Sequence, residues 1–285
     1  MALRTRDNQT LFWWLLPYLI FISFLVVYPI GVTFSLAFTK NHSWAGFANF
    51  QQVLSDSKFP RIAVNTLIWT GSVIIFIFVN ISLALLLNQN LKGRNIFRAI
   101  ILVLPWATPD VVAAVNWRWI FNAMYGVLND ILMRLGLIES NIPWLGDPKL
   151  ALMSVIIANI WKGFSVGTMI VLAALQSIPP EIYEAAKIDG SYGLKTLFWI
   201  TLPLIRPTLL SLLLISIIWT VNYFPLIHIM TGGGPAYSTD ILVTWAYREF
   251  FSFLEFNKGS AIAVLLFLIT FSLSCLYARV IFAKS

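Results

Sequence analysis

Between Phe12 and Phe38 the chain carries no Asp, Glu, Lys or Arg. So long an uncharged, apolar run exceeds what a helix at a water-facing surface can hide. As a helix it crosses the roughly 30 Å hydrocarbon core of a bilayer, a task that takes about 20 residues. Five further stretches are long and apolar enough to do the same, giving expected spans at 12–38, 65–88, 97–120, 150–174, 204–230 and 261–282. Lipid supplies no partners for backbone N–H and C=O groups, so each span has to be helical. The short alternating segments of a membrane β-barrel do not occur here. Charged residues make up 11% of the chain and mean hydropathy is +0.82, whereas a soluble domain carries about 25% charge. The expected fold is all-α and integral to the membrane, with 1–285 forming one transmembrane domain.

Arg4 and Arg6 precede the first run as they would in a signal peptide. The run is too long for a signal core and ends in no small-x-small cleavage site, so it is expected to stay as the first span. Lysine and arginine set the orientation. With the N-terminus inside, the inner segments carry ten (Arg4, Arg6, Lys92, Arg94, Arg98, Lys187, Lys195, Arg206, Arg279, Lys284) and the longer outer ones eight (Lys40, Lys58, Arg61, Arg118, Arg134, Lys149, Arg248, Lys258). Both termini are therefore expected in the cytoplasm. Residues 239–254 are too short to span and contain Arg248 and Glu249. They read as an outer interfacial helix with Trp245 and Tyr247 at headgroup level. An apolar stripe from Val127 to Leu135 predicts a short helix over 125–137.

Several function classes drop out. The net charge of +7 comes from basic residues scattered along the chain, which argues against a nucleic-acid surface. A single cysteine, Cys275, and two histidines, His42 and His228, allow neither an intrachain disulfide nor a structural zinc site. There is no GxxxxGK[ST] and no cluster of catalytic groups, so the chain is expected to bind no cofactor and to be no enzyme.

Between spans four and five lies "LQSIPPEIYEAAKIDGSYGLKTLFWITLP", residues 175–203. Pro179 and Pro180 stop one helix and can start another. Glu181 and Glu184 suit the positive end of its dipole. Gly190 can adopt φ > 0 and end it. Ser191 can cap a second helix running to about Ile200, with Pro203 opening the next span. A helix–turn–helix beneath the membrane follows. Ala185 and Ala186 leave room for a close neighbour, and Ile182, Tyr183 and Ile188 offer apolar contact. The same features would suit a loop packed on its own bundle.

Glu184-Ala185-Ala186, three residues, Gly190, nine residues, Ile200, one residue, Leu202-Pro203 resembles the cytoplasmic signature of binding-protein-dependent ABC importer permeases. Further stretches resemble the sugar-importer branch: "NFQQVL" (49–54), "LPWATPDVVAAVNWRWIF" (104–121), "NIWKGF" (159–164), "LAALQSIPPEIYEAAKIDG" (172–190) and "MTGGGP" (230–235). The nearest type is the maltose-importer subunit, without its extra N-terminal spans and large outer domain. The resemblance implies a coupling helix held in a groove of a separate ATPase, with Tyr183, Glu184, Ala185, Ala186, Asp189 and Gly190 as contact residues. It also implies a second homologous permease subunit, two ATPase subunits carrying ATP and Mg, an extracytoplasmic solute-binding protein that meets the "TGGGP" turn, and a bacterial or archaeal inner membrane.

Polar groups at membrane depth are costly and usually face a cavity or one another. Asn159, Lys162, Gly163 and Val166 share one helical face and match sugar-lining positions of the family. Trp219, Asn222 and Tyr223 offer a similar wall from span five. Amides pair with hydroxyls and aromatic faces stack on sugar rings. The two asparagines could equally bond between helices. Lys162 could donate to substrate or pair with Asp110, and Asp110, close to Pro105 and Pro109, could cap a break in span three. His228 reads as interfacial. The rival function is an ion-gradient-driven secondary transporter, which would need intramembrane acidic relays or paired inverted repeats. Only Asp110 is a candidate relay.

Overall fold

The computed structural model describes residues 13–41, 43–89 and 93–282. Arg4, Arg6, His42, Lys92 and Lys284 lie outside them. Among the described residues the regular structure is helical apart from a two-residue antiparallel ladder, β1 (Thr39–Lys40) on β2 (Ser43–Trp44), with Thr39 opposite Trp44. In order, the helices are α1 (Trp13–Phe38), α2 (Ala48–Leu54), α3 (Phe59–Asn88), α4 (Ile96–Ala107), α5 (Asp110–Ile120), α6 (Val127–Arg134), α7 (Ala151–Gln176), α8 (Pro180–Ile188), α9 (Leu194–Val221), α10 (Pro225–Met230), α11 (Leu242–Tyr247) and α12 (Phe256–Phe282). Five of these, α1, α3, α7, α9 and α12, are long and apolar enough to cross a membrane, and α4 with α5 adds a sixth crossing if that pair counts as one. Outward faces rich in Leu, Ile, Val, Phe and Trp cover these helices, as expected where lipid is the solvent.

Spans two and six start earlier than expected, at Phe59 and Phe256, and spans three and five are reshaped. Span three is broken: α4 and α5 meet at 102° across Thr108 and Pro109. Span five starts at Leu194, ten residues earlier than expected, and Pro203 and Pro207 sit inside a continuous helix. It ends at Val221, and the remainder of the expected 204–230 span is a turn and the short α10. The proposed second helix after Gly190 is therefore the beginning of span five. Ser191 does not cap it: that place is taken by Gly193 at φ 58°, and Ser191 Oγ lies 3.2 Å from Thr196 Oγ1.

A π turn precedes three of the prolines in these helices, though not Pro207. The π turns Ser23–Val27, Ala99–Val103 and Leu197–Thr201 lie before Pro29, Pro105 and Pro203. In each case the carbonyl four residues back, which a proline ring would strike in a regular helix, falls inside the widened turn. The wider turn removes the clash and lets neighbouring donors re-pair.

Two compact units contain these elements. One gathers the chain up to Phe59 with Trp245–Phe267. Here the last carbonyls of α1, which lack helical partners, accept side-chain amides. Asn49 Nδ2 donates to Ala37 and Thr39 at 2.9 and 2.8 Å, and Asn257 Nδ2 to Leu36 and Thr39 at 2.9 and 2.7 Å. Beside them lies a buried charge triad. Lys258 Nζ sits 2.7 Å from Asp56 Oδ2 and 3.2 Å from Glu249 Oε1, and Trp245 Nε1 donates to the same Glu249 oxygen at 2.7 Å. Trp245 is thus fully buried rather than at headgroup level, because its indole N–H has a buried carboxylate to satisfy. The helix over 239–254 is a short α11 plus a π turn at Arg248–Ser252.

The other unit gathers Pro60–Thr244 with the chain from Leu268 on. It has two cores. One packs Trp69, Phe121, Val155, Ile156, Leu226 and Ile227; the other packs Leu87, Leu102, Val171, Leu175, Ile205 and Leu212. The cavity described next lies in this unit.

Candidate functional site

The central spans α3, α7 and α9 enclose, with the α4–α5 elbow, a cavity of about 180 Å³. From α7 come Asn159, Lys162, Gly163 and Val166, four residues on one face at spacings of three, four and seven. From α9 and the turn after it come Ser216, Trp219, Thr220 and Tyr223. Six of the seven expected pathway residues are brought together in this way.

Asn222 is placed elsewhere. Its amide nitrogen donates to the Ile218 carbonyl at 2.8 Å and to Thr270 Oγ1 at 3.1 Å, joining the end of α9 to α12. That is the interhelical role an amide commonly takes in lipid. The lining also includes Ser72, Phe76 and Asp110, which sequence reasoning did not assign to the pathway. A step in α3 at Ser72 turns Ser72 and Phe76 to the cavity; the sequence signal was a Gly71-Ser72 pair inside an apolar run.

Gly163 and Gly167 are where α7 approaches α3 closely. A Cβ there would lie 2.9 Å from the Phe76 ring, and one on Gly167 would collide with the Asn80 amide. The small-xxx-small spacing lets α3 and α7 meet backbone to side chain. Asn80, fully buried, accepts a hydrogen bond from Thr168 at 3.2 Å.

Lys162 holds the elbow. Pro109 has no N–H to return to the Pro105 carbonyl, and α4 ends at Ala107, so the final carbonyls of α4 are left without helical donors. Lys162 Nζ donates to Thr108 O at 2.8 Å, Pro105 O at 3.1 Å and Trp106 O at 3.4 Å. A cation at the negative end of a helix is favourable. The same ammonium lies 3.5 Å from Asp110 Oδ1. Asp110 is the first residue of α5 and makes no side-chain cap; Pro109 occupies the capping position. Tyr223 Oη is buried and faces Asp110.

The second locus is α8. Pro180 starts it, and Gly190 at φ 70° ends it. The Ser191 N–H bonds the Ala186 carbonyl at 2.8 Å and the Gly190 N–H bonds Lys187 at 3.1 Å, the paired bonds of a Schellman ending. Ala186 is buried and Tyr183 half-buried, with Thr201 Oγ1 donating to Tyr183 Oη at 3.4 Å. Glu184, Ala185, Asp189 and Gly190 are exposed, and Ile188 is 87% exposed. One face fastens the helix to its own chain and the other is left open.

The "TGGGP" stretch forms a tight turn with Gly232 and Gly233 at φ 61° and 88°. Thr239 Oγ1 closes it on Gly234 O at 2.9 Å, and Asn65 Nδ2 on α3 binds the Tyr237 and Asp240 carbonyls at 2.9 and 3.0 Å.

Comparison with known proteins gives consistent findings. The family described as "Binding-protein-dependent transport system inner membrane component" matches residues 77–285. The trehalose/maltose transport system permease protein MalF of Thermococcus litoralis is 34% identical over 285 residues, covering 98% of this chain and 95% of that one. The sulfoquinovosyl glycerol transport system permease protein SmoG of Agrobacterium fabrum is 34% identical over 278 residues, covering 95% and 89%. The crystal structure of a bacterial alginate ABC transporter, in complex with an alginate pentasaccharide-bound periplasmic protein, superposes with a TM-score of 0.84 at 26% identity, covering 97% of this chain and 95% of that one. The chain belongs to the binding-protein-dependent ABC importer permeases, non-catalytic multi-pass components of the inner membrane that work with ATPase partners.

Proposed function

We propose that this chain and a second, homologous permease subunit form the pathway by which a sugar or oligosaccharide enters the cell. Two ATPase subunits bind ATP and Mg and drive the cycle, and an extracytoplasmic binding protein delivers the solute. The observation that carries this reading is α8: Ala186 and Tyr183 face inward while Glu184, Ala185, Asp189 and Gly190 are open on one side. Such a helix, anchored on one face, can transmit a rigid displacement from a motor seated on the other. In this reading Glu184, Ala185, Asp189 and Gly190 form the coupling contact, while Tyr183 and Ala186, expected there too, fasten the helix to its own chain. The loop of α8, like both termini, lies in the cytoplasm, and residues 1–285 act as a single transmembrane domain with six crossings.

The cavity supplies the pathway residues Asn159, Lys162, Gly163, Val166, Trp219 and Tyr223, and Asn222 braces it from behind. Relatives named for trehalose, maltose and sulfoquinovosyl glycerol support a carbohydrate solute. Two states of the bundle with different contacts to the partners are enough to move it. The test is uptake into proteoliposomes containing the whole complex. ATP-dependent sugar uptake that survives an uncoupler is expected. Uptake that follows an ion gradient without ATP would instead favour the secondary transporter.

A further inference from the structure

The geometry points to a pathway selective for carbohydrates without negative charge, because its one described cation is pinned by the broken helix and the more exposed member of the ion pair it makes is the carboxylate. This inference rests on the carbohydrate reading above and refines it.

Among the described residues, Lys162 is the only Lys or Arg lining the cavity and Asp110 the only Asp or Glu. An anion-selective wall would need the ammonium to be free to meet a carboxylate, sulfonate or phosphate. Here it is surrounded: three carbonyl oxygens within 3.4 Å and Asp110 at 3.5 Å. Its side chain is 14% exposed against 39% for Asp110. An ammonium has three protons to donate, and three main-chain oxygens already take them. Moving Lys162 to a substrate would strip the α4 terminus of its donors inside the membrane, leaving buried carbonyls unpaired.

Lys162 and Asp110 form an ion pair, and Asp110 is the more exposed of the two, so a solute reaches the carboxylate more readily than the pinned ammonium. An anion gains no free cation there and meets the carboxylate in a setting that screens poorly. A neutral sugar is not repelled, and its hydroxyls can donate to Asp110 and accept from the Tyr223 hydroxyl beside it. Asn159 can do both, and Trp219 offers a ring face for stacking. Lys162 is thus a positioning residue, and Asp110 and Tyr223 are specificity-determining ones.

The experiment uses the complete complex in nanodiscs, freed of its binding protein so that the membrane pathway alone selects. Saturation-transfer NMR compares maltotriose with a uronate trisaccharide of matched length. The neutral trisaccharide should bind about tenfold tighter or more, and Asp110→Asn should narrow that gap. In parallel, backbone hydrogen exchange is read over residues 104–113. Lys162→Met should raise exchange there and Lys162→Arg should largely restore protection. Equal or tighter uronate binding, or exchange unmoved by Lys162→Met, overturns the inference and leaves the sugar-importer reading standing. ATP-driven uptake of amino acids by the intact complex, with no carbohydrate of either charge carried, overturns the reading itself.

Discussion

Removing the ammonium of Lys258 should be among the most damaging single changes in the chain. The triad it centres on is nearly dry: side-chain exposures are 10% for Lys258, 14% for Asp56 and 3% for Glu249. Lys258→Met keeps the length and apolar stem of the side chain but leaves two carboxylates, formerly 2.7 and 3.2 Å from one cation, without the ammonium that joined them. An exposed ion pair contributes about 0–1 kcal/mol. Breaking a buried one costs about 3–5 kcal/mol, because an uncompensated charge remains. The ammonium also lies 5.3 Å from the Trp245 ring centroid, a cation–π contact that adds about 1 kcal/mol. Steric-trap unfolding in bicelles should therefore show a loss of about 3–5 kcal/mol for Lys258→Met. Adding Glu249→Gln should give back part of it, since one stranded charge disappears, so the cycle is strongly non-additive. A Lys258→Met loss below about 1 kcal/mol, or an additive double variant, would mean that the triad is solvated and that the burial argument is wrong.

Acid acts on the same cluster. Burial pushes the Asp56 carboxyl up, but the hydrogen bond from Lys258, the Lys58 backbone N–H and the two ammonium charges outweigh it and hold it below its ordinary 3.8. A depressed carboxylate stabilises the fold fully above its unfolded value and loses that contribution as pH falls through the folded one. Melting temperature should thus drop below about pH 4, and less so in Asp56→Asn. Gly167→Ala places a methyl against Asn80 and should destabilise the complex by about 1–3 kcal/mol, read by the same trap. Glu184→Lys should leave the subunit inserted while uptake and ATPase stimulation are lost; full uptake would refute the docking role of α8. Lys187→Cys should react with an impermeant thiol reagent only from the cytoplasmic side, and labelling from outside would reverse the topology.

Much of this was legible in the sequence because lipid imposes few choices. Uninterrupted apolar length identified α1, α3, α7, α9 and α12. Pro180 and Gly190 marked both ends of α8, and the spacing of Asn159, Lys162, Gly163 and Val166 placed them on one wall. What escaped depends on partners far apart in the chain. Asp56 and Lys258 are separated by 202 residues, so nothing local told Lys258 from an ordinary outer lysine. Trp245 looked like an interfacial anchor because its burial depends on Glu249 being buried with it. Lys162 had two open readings, and only the elbow's carbonyls decide between them. The prolines misled most: Pro203 reads as a helix start, yet it sits inside α9, whereas Pro109 does break its span.

The three widened turns carry a consequence for how this chain can change. Each inserts one residue into a helix, so everything beyond it is rotated by about 100° relative to an uninterrupted helix. Replacing Pro105 or Pro203 alone would let the turn tighten and swing a whole lipid-facing stripe toward the interior. Deleting one residue from the same turn together with the proline would bring the stripes back into phase. Substitutions and single deletions at these three places should therefore be tolerated as pairs where neither is tolerated alone.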